Sequence, residues 1–276
     1  VILAGDDDQA IYGWAGADVQ RFQDEPAKNI ILPQSYRVPQ AVQQIADQIL
    51  NRIPDNRRIK KQWASRPEGG SVDHVTSIED LPLYEGDWLI LARTNDKLIK
   101  LKSILQEMAI YFEIKGRKSY KTRLYTAVKH YTRWQQGDKL SLSECKDLFE
   151  FLELEQELKE ERMYDLKEFN YSIEDQWYEV FKSDPEECLY IREMLRNKEE
   201  LSKPARVKLS TIHSAKGGEA TNVLIILDNT KKIREAVDKS EDKHDEEHRV
   251  WYVGVTRTKQ NLYIMTPKRE DRSYDI

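Results

Sequence analysis

Cysteine is scarce in this 276-residue sequence: the only two, Cys145 and Cys188, lie far apart with no second pair. They make neither a zinc ribbon nor a disulfide framework, which suits a reducing cytoplasm. No apolar run approaches the length of a bilayer span, and the amino end lacks the basic-then-apolar layout of a secretion signal. Positive charge is not in excess either. The 44 Lys and Arg face 49 Asp and Glu, for a formal net charge of −5, so contact with a polyanion must use a local groove. The dipeptide Gly-Lys never occurs, which excludes from these residues a phosphate-cradling loop of the form G-x-x-x-x-G-K-[ST]. An Asp-Glu pair closing an apolar strand is also missing: Asp24-Glu25 follows no apolar run, Asp245-Glu246 falls in a charged helical stretch, and Asp228 is followed by Asn229. There are no internal repeats and no low-complexity tracts.

The length allows one large domain or two modest ones, each with an ordinary core. Apolar runs at residues 1–4, 30–32, 88–92, 223–227 and 262–265 read as strands, the first stopped by Gly5 and three aspartates. Helical spacing joins Val42, Ile45, Ala46, Ile49 and Leu50, and again Leu98, Leu101, Ile104, Leu105 and Met108. This alternation indicates a parallel sheet covered by helices. Lys, Arg, Pro and Gly crowd residues 58–71 without periodicity, as in a surface loop. From 118 to 203 the apolar strands vanish, and aromatics spaced by three and four among charges predict a mainly helical part.

Four blocks stand out. The first runs Gly5-Asp6-Asp7-Asp8-Gln9-Ala10-Ile11-Tyr12-Gly13-Trp14-Ala15-Gly16-Ala17-Asp18 and places a glutamine and two aromatics just beyond an apolar run. Gln34-Ser35-Tyr36-Arg37-Val38-Pro39 precedes the Val42 helix, so Tyr36 and Arg37 fall at a helix entrance. Thr211-Ile212-His213-Ser214-Ala215-Lys216-Gly217-Gly218-Glu219 leads into the strand at 223–227, and residues 246–259, with Thr256-Arg257, precede the last strand. In this order they resemble motifs III, IV, V and VI of superfamily 1 DNA helicases of the UvrD/Rep/PcrA type, over residues 1–265.

The resemblance implies a RecA-like α/β fold, a P-loop NTPase-like second core domain interrupted by a small helical insertion. Its divisions here are 1–28 (end of the first core domain), 29–117 and 204–276 (second core domain) and 118–203 (insertion). It implies an ATP-dependent DNA helicase moving 3′ to 5′ on single-stranded DNA and acting at single/double-strand junctions. Because the sequence opens without Met and lacks the P-loop, the expectation is a carboxyl-terminal part that is inactive alone, with ATP and magnesium as cofactors and the magnesium ligands upstream. By resemblance, Arg37 and Arg257 reach the γ-phosphate across a cleft, making hydrolysis depend on closure. Gln9 senses that phosphate through an amide that both donates and accepts. Tyr36 stacks on adenine and Glu219 takes the ribose hydroxyls. Tyr12 and Trp14 stack on bases, while Arg93, Asn95 and His213 contact the strand, a combination that tolerates any sequence.

Two departures reduce the match. Ala15 stands where the family usually has arginine, and Gly218-Glu219-Ala220 lacks the usual leucine and aromatic around the glutamate. The run 115–134 carries seven basic residues and no acid, interleaved with Tyr120, Tyr125 and Tyr131. It reads either as a nucleic-acid face or as a solvated helix balanced by the acidic stretch 144–161. His244 and His248 are spaced i, i+4, but the metalloprotease pattern needs Glu after the first His and Asp245 stands there, so no metal is assigned. The rival function is a non-catalytic nucleic-acid-binding or regulatory helicase-like piece. A third reading, a helicase-like subunit of a nuclease complex, lacks a recognisable nuclease block after residue 265.

Overall fold

Runs of apolar residues buried on both faces form the centre of a parallel sheet, because every side chain of such a strand meets a covering helix or a neighbouring strand. The structure, a computed structural model, describes all residues except 1, 27, 29, 153, 155–157, 170, 172–174 and 268, and the side chain of Glu270. The chain divides into two units, Val1–Ser103 with Arg206–Ile276, and Ile104–Ala205.

The first unit contains, in chain order, α1 (Val19–Gln23), β1 (Gln34–Pro39), α2 (Gln40–Leu50), β2 (Ala64–Arg66), β3 (Ser71–Val75), β4 (Trp88–Ala92), the start of α3 (Asn95–Glu107), β5 (Val207–Thr211), β6 (Ala220–Ile226), α4 (Lys231–Lys239), α5 (Glu241–Val255) and β7 (Thr258–Met265). Five strands pair in the order β3-β7-β6-β4-β5, every pair parallel. Register places Leu224 beside both Ile90 and Tyr263, and Ile226 beside Ala92. Five parallel strands of this kind, with helical crossovers, are the RecA-like α/β class.

Val42, Ala46, Ile49 and Leu50 form the buried stripe of α2, as their spacing predicts, and join Leu91, Val223, Ile225 and Trp251 in one core. Helix α5 begins at Ser240, whose hydroxyl accepts from Lys243 N, and carries Glu241 and Asp242 in its first turn, where the helix dipole favours acids. At Gly254 it lies so close to β6 that a Cβ would stand 2.7 Å from Ile225 Cδ1.

Two predicted strands are absent. Residues 2–4 and 30–32 are apolar but exposed and form no ladder, with Val1 outside the described residues. An apolar run becomes a strand only where a partner edge is available, and neither run pairs with a described strand. Residues Gln34–Pro39 form β1 instead, paired with β2, so Tyr36 and Arg37 lie in a strand that runs directly into α2 at Gln40. The segment read as a loose surface loop is partly ordered. It contains β2, and within it Arg58 and Lys61 are drawn onto the aspartates at 6–8.

In the second unit a hairpin, Phe112–Ile114 with Arg117–Lys118, turns through Lys115 and Gly116, both in the left-handed region. Helices follow at Thr122–Gln135, Leu142–Leu152, Trp177–Val180 and Pro185–Arg196, consistent with the helical periodicity. Their core includes Tyr131, Trp134, Cys145, Phe149, Ile191 and Met194. Three of the seven basic residues of the run are paired with acids: Arg123 with Glu150 at 2.5 Å, Lys121 with Asp184 at 3.8 Å, and Arg133 with Glu144 and Asp138. Tyr120 and Tyr131 are buried rather than presented, so the balanced-helix reading fits this stretch better than a nucleic-acid face. No helix among the described residues is long and apolar enough to cross a membrane.

Candidate nucleotide and nucleic-acid sites

Two groups of polar side chains gather at opposite ends of the sheet of the first unit. Arg257 precedes β7 and Glu219 precedes β6, and these strands begin side by side at Ala220 and Thr258. Arg257 is only 2% exposed. Its Nε donates to Val253 O at 2.8 Å, Nη2 to Thr256 Oγ1 at 3.2 Å and to Gln9 Oε1 at 3.5 Å, and Nη1 to Gly218 O at 3.4 Å. Burial, followed by the neighbouring charge of Arg37, lowers its pKa to about 10, although Tyr252, Glu219 and Asp6 act in the other direction. The guanidinium therefore stays charged at neutral pH, but in surroundings that undercompensate it.

Arg37 pairs with Glu219 at 3.6 Å, and Lys259 approaches the other oxygen of that carboxylate at 3.5 Å. Arg37 Nε is buried with no hydrogen-bond partner among the described residues. Gln9 donates its amide to Asp6 at 2.6 Å while its backbone carbonyl accepts from Lys216 Nζ at 2.7 Å. Tyr36 projects into solvent, 85% exposed. The structure thus gathers Gln9, Arg37, Glu219 and Arg257, with Tyr36 adjoining in sequence, and adds Lys216 and Lys259, which motif reading alone did not select.

The turn holding Gln9 is itself fastened. Asp6, Asp7 and Asp8 converge on the Lys61 ammonium, with Asp6 at 2.9 Å and Asp8 at 2.7 Å, and Arg58 lies 3.3 Å from Asp8. Burial opposes ionisation of Asp7, but Lys61, the Ile59 N–H and the Gln23 amide outweigh it and hold its carboxyl below the usual range. At Asp8 burial prevails and the pKa is raised. The ammonium occupies the position a cation would take between these carboxylates, so they do not fit a magnesium ion.

At the carboxyl ends of β4 and β5 lies a cleft of about 410 Å³ lined by Trp14, Arg93, Asn95 and His213, together with Thr94, Thr211, Lys243, Glu246, Glu247 and the α4 residues Ile233, Ala236 and Val237. Carboxyl ends of parallel strands are where open α/β sheets bind ligands. Tyr12 stands behind the cleft, its hydroxyl donating to His213 O at 2.8 Å and its ring 6.1 Å from both Trp14 and His213. Gly13 N donates to Glu246 Oε1 at 3.1 Å, and Gly16, in the left-handed region at φ 90°, closes the turn. This leaves the Trp14 ring 73% exposed. Arg93 is clamped by Glu247 through Nε at 3.0 Å and Nη2 at 2.8 Å, and Glu247 also accepts from Trp251 at 2.7 Å and Asn229 at 3.1 Å. Burial, then Arg93, lowers the pKa of His213, which keeps the ring neutral.

The apolar wall of α4 and the acids of α5 were not legible as site residues, because 230–239 carries no motif and the Arg93–Glu247 pair joins positions 154 residues apart. The periodicity of Ile233, Ala236 and Val237 was the available signal.

The five parallel strands with polar clusters at both ends make this unit an α/β domain of the RecA-like class. The profile of the UvrD-like helicase C-terminal domain matches residues 90–269, and the chain belongs to that family. Arg93, Asn95, His213, Glu219 and Arg257 fall inside the matched segment; Gln9, Tyr12, Trp14, Tyr36 and Arg37 precede it. The chain is 31% identical over 83 residues to the ATP-dependent DNA helicase PcrA of Staphylococcus epidermidis, covering 28% of the chain and 11% of the relative. DNA helicase II of Haemophilus influenzae is 33% identical over 85 residues, 29% of the chain and 12% of the relative. PcrA of Staphylococcus aureus is 30% identical over 83 residues, 28% and 11% respectively. The chain thus matches only about a ninth of the length of these curated relatives.

Proposed function

We propose that the chain supplies one jaw of an ATP-dependent DNA helicase, with the nucleotide phosphates at the amino ends of β6 and β7 and single-stranded DNA in the cleft at the carboxyl ends of β4 and β5. The observation that carries this reading is the buried, undercompensated Arg257 beside Arg37, whose Nε lacks a partner. A buried guanidinium beside a second, partly exposed one favours an anion that can take their remaining donors, and phosphate oxygens suit them. ATP, when bound, would supply the phosphoryl transfer that drives closure and opening.

The residues of this chain have distinct tasks in that reading. Arg257 is held rigid by backbone carbonyls, so it stabilises developing charge without reorganising. Arg37 adds a second donor, and Glu219, shared with Lys259, is placed to accept from ribose hydroxyls. Tyr36 offers a stacking face. Gln9 touches Arg257 on one side and Asp6 on the other, and the same short segment continues to Tyr12 and Trp14. A change at the phosphate end therefore has a covalent route of five residues to the cleft.

In the cleft Trp14 faces outward for stacking. With Glu246 and Glu247 paired to Lys243 and Arg93, the floor offers phosphate no excess of cations, so the bases point inward and the backbone runs along the rim. Following the family resemblance, movement is 3′ to 5′ along the strand, loading is at single/double-strand junctions, and the compartment is the cytoplasm. Magnesium accompanies the nucleotide.

The test pairs two variants in a protein that joins this chain to a phosphate loop. Arg257→Ala should remove ATP turnover and keep strand binding, whereas Trp14→Ala should keep strand-independent turnover and lose unwinding. Equal loss of both activities in both variants would overturn the assignment. These residues contain no phosphate loop, so the 276-residue chain tested alone should bind strands weakly and show little or no ATP turnover.

A further inference from the structure

His244 and His248 of α5 take no part in either site, yet they form a built arrangement. Their Nε2 atoms face each other at 3.1 Å, with the rings nearly perpendicular and 4.3 Å apart. The outer nitrogen of each ring has its own partner: His244 Nδ1 lies 3.3 Å from Asp245 Oδ1, and His248 Nδ1 lies 2.5 Å from the Tyr274 hydroxyl. Tyr274 is in turn stacked on Trp251 at 4.7 Å, with the Arg52 guanidinium 5.5 Å from its ring. We propose that the facing Nε2 atoms of His244 and His248 are a two-histidine site for a divalent transition-metal ion of the imidazole-preferring kind: copper(II), nickel or zinc.

The separation of the two nitrogens suits such an ion once the rings tilt to bring their lone pairs together. Metal–nitrogen bonds of about 2.0–2.1 Å set two ligating nitrogens about 2.9 Å apart at a right angle and about 3.3 Å apart at a tetrahedral angle. The observed separation lies between these. Ligating histidines characteristically donate the other ring N–H to a carboxylate or other acceptor, which fixes the tautomer, and here Asp245 and the Tyr274 hydroxyl stand at those positions.

Without an ion the facing nitrogens must share a proton. Asp245 requires the proton of His244 on Nδ1, so His248 donates from Nε2 and Tyr274 donates to His248. In protons, metal binding then needs a tautomer shift in His248 and a rotation of the Tyr274 hydroxyl, with no net loss of a proton. His248 itself is buried, with Arg52 and Arg249 near it. The two guanidiniums are engaged elsewhere, Arg52 with Asp275 and Arg249 with the carbonyl of Arg57.

No third His, Cys, Asp or Glu among the described residues completes the set, since the one such group of three is Asp6, Asp7 and Asp8. The remaining positions fall to water on the side of His244, whose side chain is 41% exposed, which makes the ion exchangeable rather than a folding staple. Asp245 is bound to Arg57 at 2.5 Å and is no free base, so the site is not hydrolytic. An ion here would clip one turn of the helix that carries Glu246 and Glu247 at the cleft and leads to Arg257.

The experiment titrates the 276-residue chain with copper(II), read by electron paramagnetic resonance, and with zinc, read by calorimetry and thermal unfolding. One equivalent should bind, with two nitrogens coupled to copper and a raised Tm. The partly exposed His244→Ala should weaken binding at least about tenfold and leave one coupled nitrogen. Tyr274→Phe, which keeps both ligands, should weaken it about tenfold with two nitrogens retained. Absence of saturable binding would overturn the proposal, and so would undiminished binding by His244→Ala, which would place the ion elsewhere.

Discussion

At the amino ends of β6 and β7 four cations, Arg37, Lys216, Arg257 and Lys259, gather around Glu219 and Gln9, while at the carboxyl ends of β4 and β5 the charges come in pairs, Arg93 with Glu247 and Lys243 with Glu246. The first end leaves donors waiting for an anion. The second has no such excess, and its unmatched feature is instead an aromatic ring in solvent. One parallel sheet thus carries two surfaces of different chemistry, which is what a machine needs if it is to hold triphosphate at one end and bases at the other. Helix α5 spans both, with Glu246 and Glu247 near its start and the carbonyl that holds Arg257 near its end.

This contrast can be broken most strongly at Arg257. In a protein that supplies the phosphate loop, Arg257→Ala should slow ATP turnover about 10³-fold, the scale of a lost arginine finger, with strand affinity unchanged. Turnover within a few-fold of the parent would remove the contrast altogether. Glu247→Ala comes next. It strands the Arg93 guanidinium in a largely buried position and deprives Trp251 and Asn229 of their acceptor, so urea unfolding should report a loss of about 3 kcal/mol. A loss below about 1 kcal/mol would show that the pair is solvated.

Trp14→Ala should weaken binding to a single-stranded oligonucleotide by about 2 kcal/mol, the scale of one lost stacking contact, while nucleotide affinity stays put. An equal effect on both ligands would merge the two sites. The smallest effect per pH unit concerns His248. Its pKa in the folded chain is about 3, against an ordinary value of 6.5, so the unfolded chain binds the extra proton first and stability is lost as pH falls from about 6.5 toward 3. The slope should be about 1.4 kcal/mol per pH unit for this group, with His213, lowered for the same reason, adding in the same direction. His248→Phe should flatten the pH dependence of urea unfolding by one proton's worth; an unchanged slope would contradict the burial.

Strands β4 and β6 were readable because a strand buried on both faces needs an unbroken apolar run, and few other elements do; β7 was readable from the apolar run Leu262 to Met265, although only Leu262 and Ile264 of it are buried. The same rule misled at 30–32, where Ile30 and Leu32 are exposed, since hydrophobicity says nothing about whether a partner edge exists. β3 was missed because it has no apolar run: Asp73 and His74 at its middle are exposed and the rest is only half-buried, at the edge of the sheet. Among the site residues, motif order selected Gln9, Arg37, Glu219 and Arg257, which do lie together, but it could not anticipate that Arg93 would be clamped by Glu247. Nor could it show that Lys61 would sit among the three aspartates: pairings across long sequence separations depend on the folded sheet.

The most direct test of two chemically distinct ends uses two photoprobes on the same chain. An azido-adenine analogue of ATP should label the peptide carrying Tyr36 and spare Trp14, while an oligodeoxynucleotide containing 5-iodouracil should label Trp14 and spare Tyr36, each displaced only by its own unlabelled ligand. Labelling of one peptide by both probes, or displacement of either by the other's ligand, would contradict the division of the sheet into a phosphate end and a strand end.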